Sequence, residues 1–308
     1  MINRLLIRIK TLQILYNYYR VKNMSVDGAI STLKRALDAS YQLYFFLCGL
    51  PLEISDIAEQ RLEKEQEKFI KDLELIDLYS HLSQNKLVEI IRRDTNFVEE
   101  YDQLSHQMMT RGLVDYIQSL TNDATNYIRD KKNEVDWDDL TSIRSAWRTF
   151  FGEVTQDSLF TELLEETNTY LNDDIPIVYS FVPKVINAIS DEKKYSDVLK
   201  PAYANEDDSS FGTTLLEKSI TNGAEYREII SRYFKNWDKE RVSEMDYLIL
   251  QLAVTEAIHF PTIATRVTIN EYLNLAHHYS TPNSYTFING ILHELFTDLK
   301  KEGKILGE

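Results

Sequence analysis

The residues whose chemistry could matter are few, and most are placed where that chemistry fails. Cys48 stands in the run Tyr44-Phe-Phe-Leu-Cys-Gly-Leu50. A reactive thiolate needs a cationic, partly exposed setting, so a buried and inert thiol is expected here. His277 and His278 are adjacent; on a helix they diverge by about 100° and cannot both face one metal ion, so solvated or capping histidines are expected. Asp136, Asp138 and Asp139 lack the ligand spacing of a calcium loop and read as a loop followed by a helix cap. There is no glycine-rich phosphate loop, no GxSxG elbow and no HExxH. Carboxylates are plentiful, but no pair stands apart as acid and base. A non-catalytic protein with no metal and no cofactor is expected. What remains is cationic: Arg4 and Arg8 lie one helical turn apart on one stripe, a spacing that suits two phosphate contacts. The solvated edge of an amphipathic helix would look the same.

These side chains must be carried by helices. Nine glycines and six prolines in 308 residues leave little punctuation for short strands. Apolar residues recur at i, i+3, i+4 almost throughout. The first helix is expected from Asn3 to about Arg20, with a broad stripe of Ile2, Leu5, Leu6, Ile9, Leu12, Tyr16 and Tyr19. A narrower stripe, Ile7, Ile14 and Tyr18, implies packing on a second side. A second helix is expected from Val26 to Leu47, ended by Gly49 and Pro51. Further helices follow around Ser55–Leu78, Gln84–Ser105, Leu113–Arg129, Asp138–Phe151, Ser158–Leu171 and Ile177–Ile189. Asn205 to Ser210 reads as a polar, acidic linker. Beyond it the pattern gives helices at Phe211–Thr221, Glu225–Trp237, Asp246–Phe260, Val267–Tyr279 and Tyr285–Lys300. Ser243-Glu-Met-Asp246 has capping-box spacing, and Ser284 is a candidate N-cap.

Hydrophobic residues at 43% and charged residues at 27% provide for a real core. A single cysteine allows no internal disulfide, which fits a reducing compartment, and the apolar run Tyr41–Leu52 is too short to span a bilayer. A cytoplasmic location is expected. The net charge of −15 argues against non-specific nucleic-acid binding by the surface as a whole. It is unevenly spread, however. Residues 1–24 carry +5 and residues 205–308 carry −6, which leaves −14 on residues 25–204. An acidic body with a basic first helix points to a localised anion contact.

The C-terminal segment Asp246-YLILQLAVTEA, then Arg266-VTINEYLNLAHHY, then Ser284-YTFINGIL, resembles the NusB family of transcription antitermination factors. The family's outline there is an AILRLA-type helix after an acidic residue, then KVxINExxxLAKxF, then SxxFVNGVL. Asn236-Trp237-Asp238 and Arg241 resemble the run-in to that segment. Asn3-Arg4-Leu-Leu-Ile-Arg8 and Leu12-Gln-Ile-Leu-Tyr16 resemble the family's arginine-rich opening and QALY-type helix. The resemblance implies an all-α protein that pairs with NusE, a small-subunit ribosomal protein. The pair would bind boxA RNA on ribosomal transcripts and keep RNA polymerase elongating.

Carried over to this chain, the resemblance implies RNA contacts by Arg4, Arg8, Lys10, Tyr16, Phe287 and Asn289, and by Tyr233 across a small gap. It implies protein-partner contacts by Asp246, Asn270 and Glu271. Each has a structural alternative: core packing for Phe287, capping for Asp246, helix-junction contacts for Asn270 and Glu271. Gly290 is expected to allow close helix approach. The chain departs from the pattern at His277, at Asn283, at Ala264, and at Leu5 and Leu6, which thin the basic cluster. It is also much longer than the family, so residues 1–51 and 205–302 are expected to form the NusB-like bundle, with residues 303–308 as a tail. Residues 52–204 would be an acidic helical insertion docked on the Ile7/Ile14/Tyr18 stripe. A protein-interaction scaffold of the same fold with weak or no RNA contact is the competing expectation.

Overall fold

The computed structural model describes residues 1–131, 134–171, 173–234 and 242–306. Among them the chain is all-α, with no strand. In chain order the helices are α1 (Arg4–Arg20), α2 (Val26–Glu67), α3 (Leu73–Ser83), α4 (Lys86–Arg93), α5 (Thr95–Met108) and α6 (Arg111–Lys131). They continue as α7 (Leu140–Val154), α8 (Ser158–Thr167), α9 (Ile175–Tyr179), α10 (Val182–Ala188) and α11 (Tyr195–Val198). The last five are α12 (Glu206–Thr221), α13 (Gly223–Ser231), α14 (Glu244–His259), α15 (Thr265–Tyr279) and α16 (Ser284–Lys301). No helix among the described residues is long and apolar enough to cross a membrane.

The chain divides into two compact units. One comprises residues 2–37 and 203–308; the other, residue 1 and residues 38–202. The first, the terminal module, is built from residues near the two ends of the sequence. Its centre is α14, which touches α1, α12, α13, α15 and α16. Accordingly α14 is buried on every side from Leu248 to Ala257, as a helix without a polar face must be. Ser243 Oγ accepts from the Asp246 N–H at 3.1 Å, which fixes where α14 starts. Ser284, expected as a cap, is instead the first residue of α16, and its hydroxyl is 2.8 Å from that of Thr281.

Asn205 to Ser210 is not a linker. Asn205 caps α12 by accepting from the Asp208 N–H at 2.8 Å, and Glu206, Asp207 and Asp208 fill the first turn, where negative charge complements the helix dipole. On α1, Ile7 and Ile14 are buried and Tyr18 is half-buried. Ile7 is covered from within the module: a Cβ on Gly212 of α12 would come 2.6 Å from Ile7 Cγ2. The glycine is what lets α1 and α12 approach.

In the other unit, α2 runs on to Glu67, so Gly49 and Pro51 do not end it and the boundary expected at residue 51 falls inside a helix. Gly49 serves packing, because a Cβ there would lie 2.0 Å from the Tyr101 ring of α5. Cys48 is buried, and burial pushes its thiol far above the ordinary range; the Tyr195 hydroxyl donates to the Cys48 carbonyl at 2.7 Å. Asp94 splits the helix expected over Gln84–Ser105. It caps α5 through the Phe97 N–H, and its other oxygen accepts from the Ser196 N–H and hydroxyl at 2.8 and 2.6 Å.

Candidate nucleic-acid interface

The cations of α1 separate into surface and core. The Arg4 side chain is 36% exposed, with its Nε on Asp208 Oδ1 at 2.8 Å and its guanidinium 5.2 Å from the centre of the Phe211 ring. The Arg8 side chain is only 4% exposed. Its Nε and Nη2 grip both oxygens of Glu256 at 2.8 and 2.9 Å, and Nη1 reaches Glu271 at 3.1 Å. Thr268 and Tyr272 add hydroxyl donors to Glu256 at 2.9 and 3.1 Å. The Glu256 carboxylate thus receives four hydrogen bonds. Burial alone would lower the Arg8 pKa, but the hydrogen bond and charge of Glu256 outweigh it and raise the pKa. Lys10 is also buried, at 1% exposure.

Two of the three basic residues assigned to RNA are therefore interior. Arg8 sits there because α14 carries the Glu256 carboxylate in its fully buried stretch, and a buried charge must be paired. Glu256, a carboxylate amid the apolar run of α14, is the signal in the sequence that marks a buried cationic partner.

The remaining residues sort the same way. Phe287 is 5% exposed, with its ring 5.6 Å from that of Phe234, so it is a core side chain in this conformation. Asp246 is buried and accepts from the Ser280 hydroxyl, tying the start of α14 to the turn between α15 and α16 rather than facing outward. Glu271 is spent partly on Arg8, while Asn270 is exposed. Asn289 is half-exposed. Tyr233 is half-exposed and donates to Asp298 Oδ2 at 3.2 Å; burial and the Asp298 charge push its hydroxyl up to about 12. Asn236-Trp237-Asp238 and Arg241, and the end of the helix expected to reach Trp237, lie outside the described residues.

Further exposed groups lie on α1 and α16. Arg20 lies 4.6 Å over the half-exposed ring of Tyr16 and 3.6 Å from Glu244. Tyr285 is exposed, one turn before Asn289 on α16, so the two share a face. The inward stripe Phe287, Ile288, Ile291, Leu292, Leu295 leaves that face outward, a register that could have been read from the sequence. Gly290 is exposed, and a Cβ there would meet nothing within 4 Å. The expectation of close helix approach at Gly290 is not met among the described residues. Aromatic contacts run continuously from α1 to α16: Arg227 lies 4.5 Å over Tyr19 and 5.7 Å from Tyr247, Tyr247 meets Phe234 edge-on at 5.1 Å, and Phe234 meets Phe287. Among the described residues no three His, Cys, Asp or Glu side chains gather as metal ligands would.

The NusB family model matches residues 180–296. The transcription antitermination protein NusB of Natranaerobius thermophilus is 34% identical over 113 residues, 36% of this chain and 81% of that protein. The chain belongs to the NusB family. The same-named protein of Acetivibrio thermocellus is 35% identical over 103 residues, 33% of this chain and 71% of that protein. That of Salinibacter ruber is 32% identical over 103 residues, 33% of this chain, and there the chain spans 64% of the relative's length. No solved structure matches. Within the described part of the match, residues 203–234 and 242–296 lie in the terminal module, and α1 packs against α12 and α14 in the same unit.

Proposed function

We propose that this chain is a non-enzymatic, RNA-binding transcription antitermination factor that acts with NusE on boxA-type RNA of ribosomal transcripts, a cytoplasmic role. The observation that carries the reading is Gly290. A glycine inside a helix costs roughly 1 kcal/mol relative to alanine, and here no neighbour within the described chain requires it. It lies beside Asn289 and on the same helix as exposed Tyr285, within the segment that matches the family. A bare backbone patch next to an amide, on a helix that also exposes an aromatic ring, suits close approach by a partner outside the chain. The relatives are named transcription antitermination proteins, a role that suits an RNA partner.

In this reading Arg4, Tyr16, Tyr233, Asn289 and Tyr285 contact RNA, and exposed Asn270 remains a protein-partner residue. Arg8, Lys10, Phe287 and Asp246 hold the platform in place, and Glu271 does so through Arg8. Asp208 competes with phosphate for Arg4, so Asp208→Asn should tighten RNA binding about two- to fivefold at low salt, in keeping with a partly exposed ion pair. Arg4→Ala should weaken it, measured by gel shift with a boxA RNA. Unchanged binding in both variants would remove Arg4 from the interface.

A further inference from the structure

Arg227, on α13, is held in an unusual way. Its Nε and Nη2 are buried without a hydrogen-bond partner. Those two groups form one edge of the guanidinium, the edge with which Arg8 grips both oxygens of Glu256. The ring of Tyr19 lies 4.5 Å and that of Tyr247 5.7 Å from the Arg227 guanidinium carbon. The rings compensate part of the charge but accept no in-plane hydrogen bond. Unpaired buried donors on a cation are costly, and an apolar side chain of similar length would fill the same space without that cost.

We propose that the Nε–Nη2 edge of Arg227 is an oxyanion fork that takes one phosphodiester of the bound RNA, with Tyr19 and Tyr247 flanking it as stacking surfaces. This rests on the RNA-binding reading above. A two-oxygen anion matches the fork, as the Glu256 carboxylate matches Arg8. Phosphodiester is favoured over a protein carboxylate because two aromatic rings lie 4.5 and 5.7 Å from the guanidinium carbon, and single-stranded RNA presents phosphates and planar bases in alternation. The residue as a whole is partly exposed, so rotation about its last torsions can turn the edge outward. The Arg20–Tyr16 pair stands at the same end of α1 as Tyr19.

The test is an anisotropy titration of labelled boxA RNA with NusE present, using wild type, Arg227→Met and Arg227→Lys, beside thermal melts of each protein. The proposal expects Arg227→Met to melt no lower than wild type and to bind RNA at least about tenfold more weakly, as for loss of charge-assisted hydrogen bonds. Arg227→Lys, which keeps the charge but not the fork, should fall between them. If Arg227→Met binds RNA normally and melts lower, Arg227 is a structural strut and the proposal is overturned. If Arg227→Met instead loses NusE binding without RNA, the fork takes a protein carboxylate, which also overturns it. Wild type that binds no RNA defeats this proposal together with the RNA reading; normal wild-type binding with an unaffected variant defeats this proposal alone. Should Arg227→Met fail to fold, the Arg227 Nε–Hε resonance of wild type decides: a shift on RNA addition supports the fork, and an unmoved resonance overturns it.

Discussion

Arg8 and Arg4 are one turn apart on the same helix, yet one is a core residue and the other a surface residue. Glu256 makes the difference, since its four hydrogen bonds fix Arg8, Thr268 and Tyr272 around one buried carboxylate. Removing one member leaves a buried charge unpaired, so Arg8→Ala should destabilise the fold by about 3–5 kcal/mol, measured by urea unfolding. Replacing both, Arg8→Met with Glu256→Leu, should cost much less. A second residue-scale prediction concerns His259, whose Nε2 is 2.9 Å from the Tyr226 hydroxyl. Burial, with Lys218 nearby, lowers its pKa below the ordinary histidine value, so the folded state prefers the neutral ring. That contribution is fully present above the unfolded value of about 6.5 and is lost as pH falls through the folded pKa. Urea midpoints from pH 7.5 to 5 should therefore drop more for wild type than for His259→Gln. Equal drops would show that His259 is not the group responsible.

At the scale of elements, two glycines make opposite predictions. Gly49→Ala puts a methyl group into the buried Tyr101 ring and should destabilise by about 1–3 kcal/mol, as overpacked sites do. Gly290→Ala meets open space and should stabilise the helix by about 0.5–1 kcal/mol, while a larger residue there should weaken partner binding. Thermal melts of the two variants separate the cases. They also show where the sequence was legible. The C-terminal helices were readable because Ser243 and the apolar stripes are local signals, and α14, α15 and α16 start and end within about two residues of expectation. Gly49 and Pro51 misled because a packing glycine and a stop signal are identical in one dimension; only the Tyr101 ring, far along the chain, tells them apart. The acidic run after Asn205 misled similarly, since helix-start chemistry and linker composition coincide. The basic stripe of α1 was visible, but which of its cations were interior depended on Glu256, nearly 250 residues away.

For the whole molecule, the consequence is a narrow electrostatic footprint on an acidic protein. With Arg8 and Lys10 interior, the cations left near the proposed interface are chiefly Arg4, Arg20 and Arg227, set against a net charge of −15. RNA binding should accordingly be selective, partner-assisted and only moderately sensitive to salt. If Arg4, Arg20 and Arg227 each take one phosphate of a single strand, the slope of log K against log salt is about −2. The measurement that tests this most directly is a fluorescence anisotropy titration of boxA RNA against the full chain, with and without NusE, across a salt series. Binding that tightens with NusE and shows that shallow slope is the predicted result. No binding in the presence of NusE at low salt would contradict the account and leave a protein-interaction scaffold in its place.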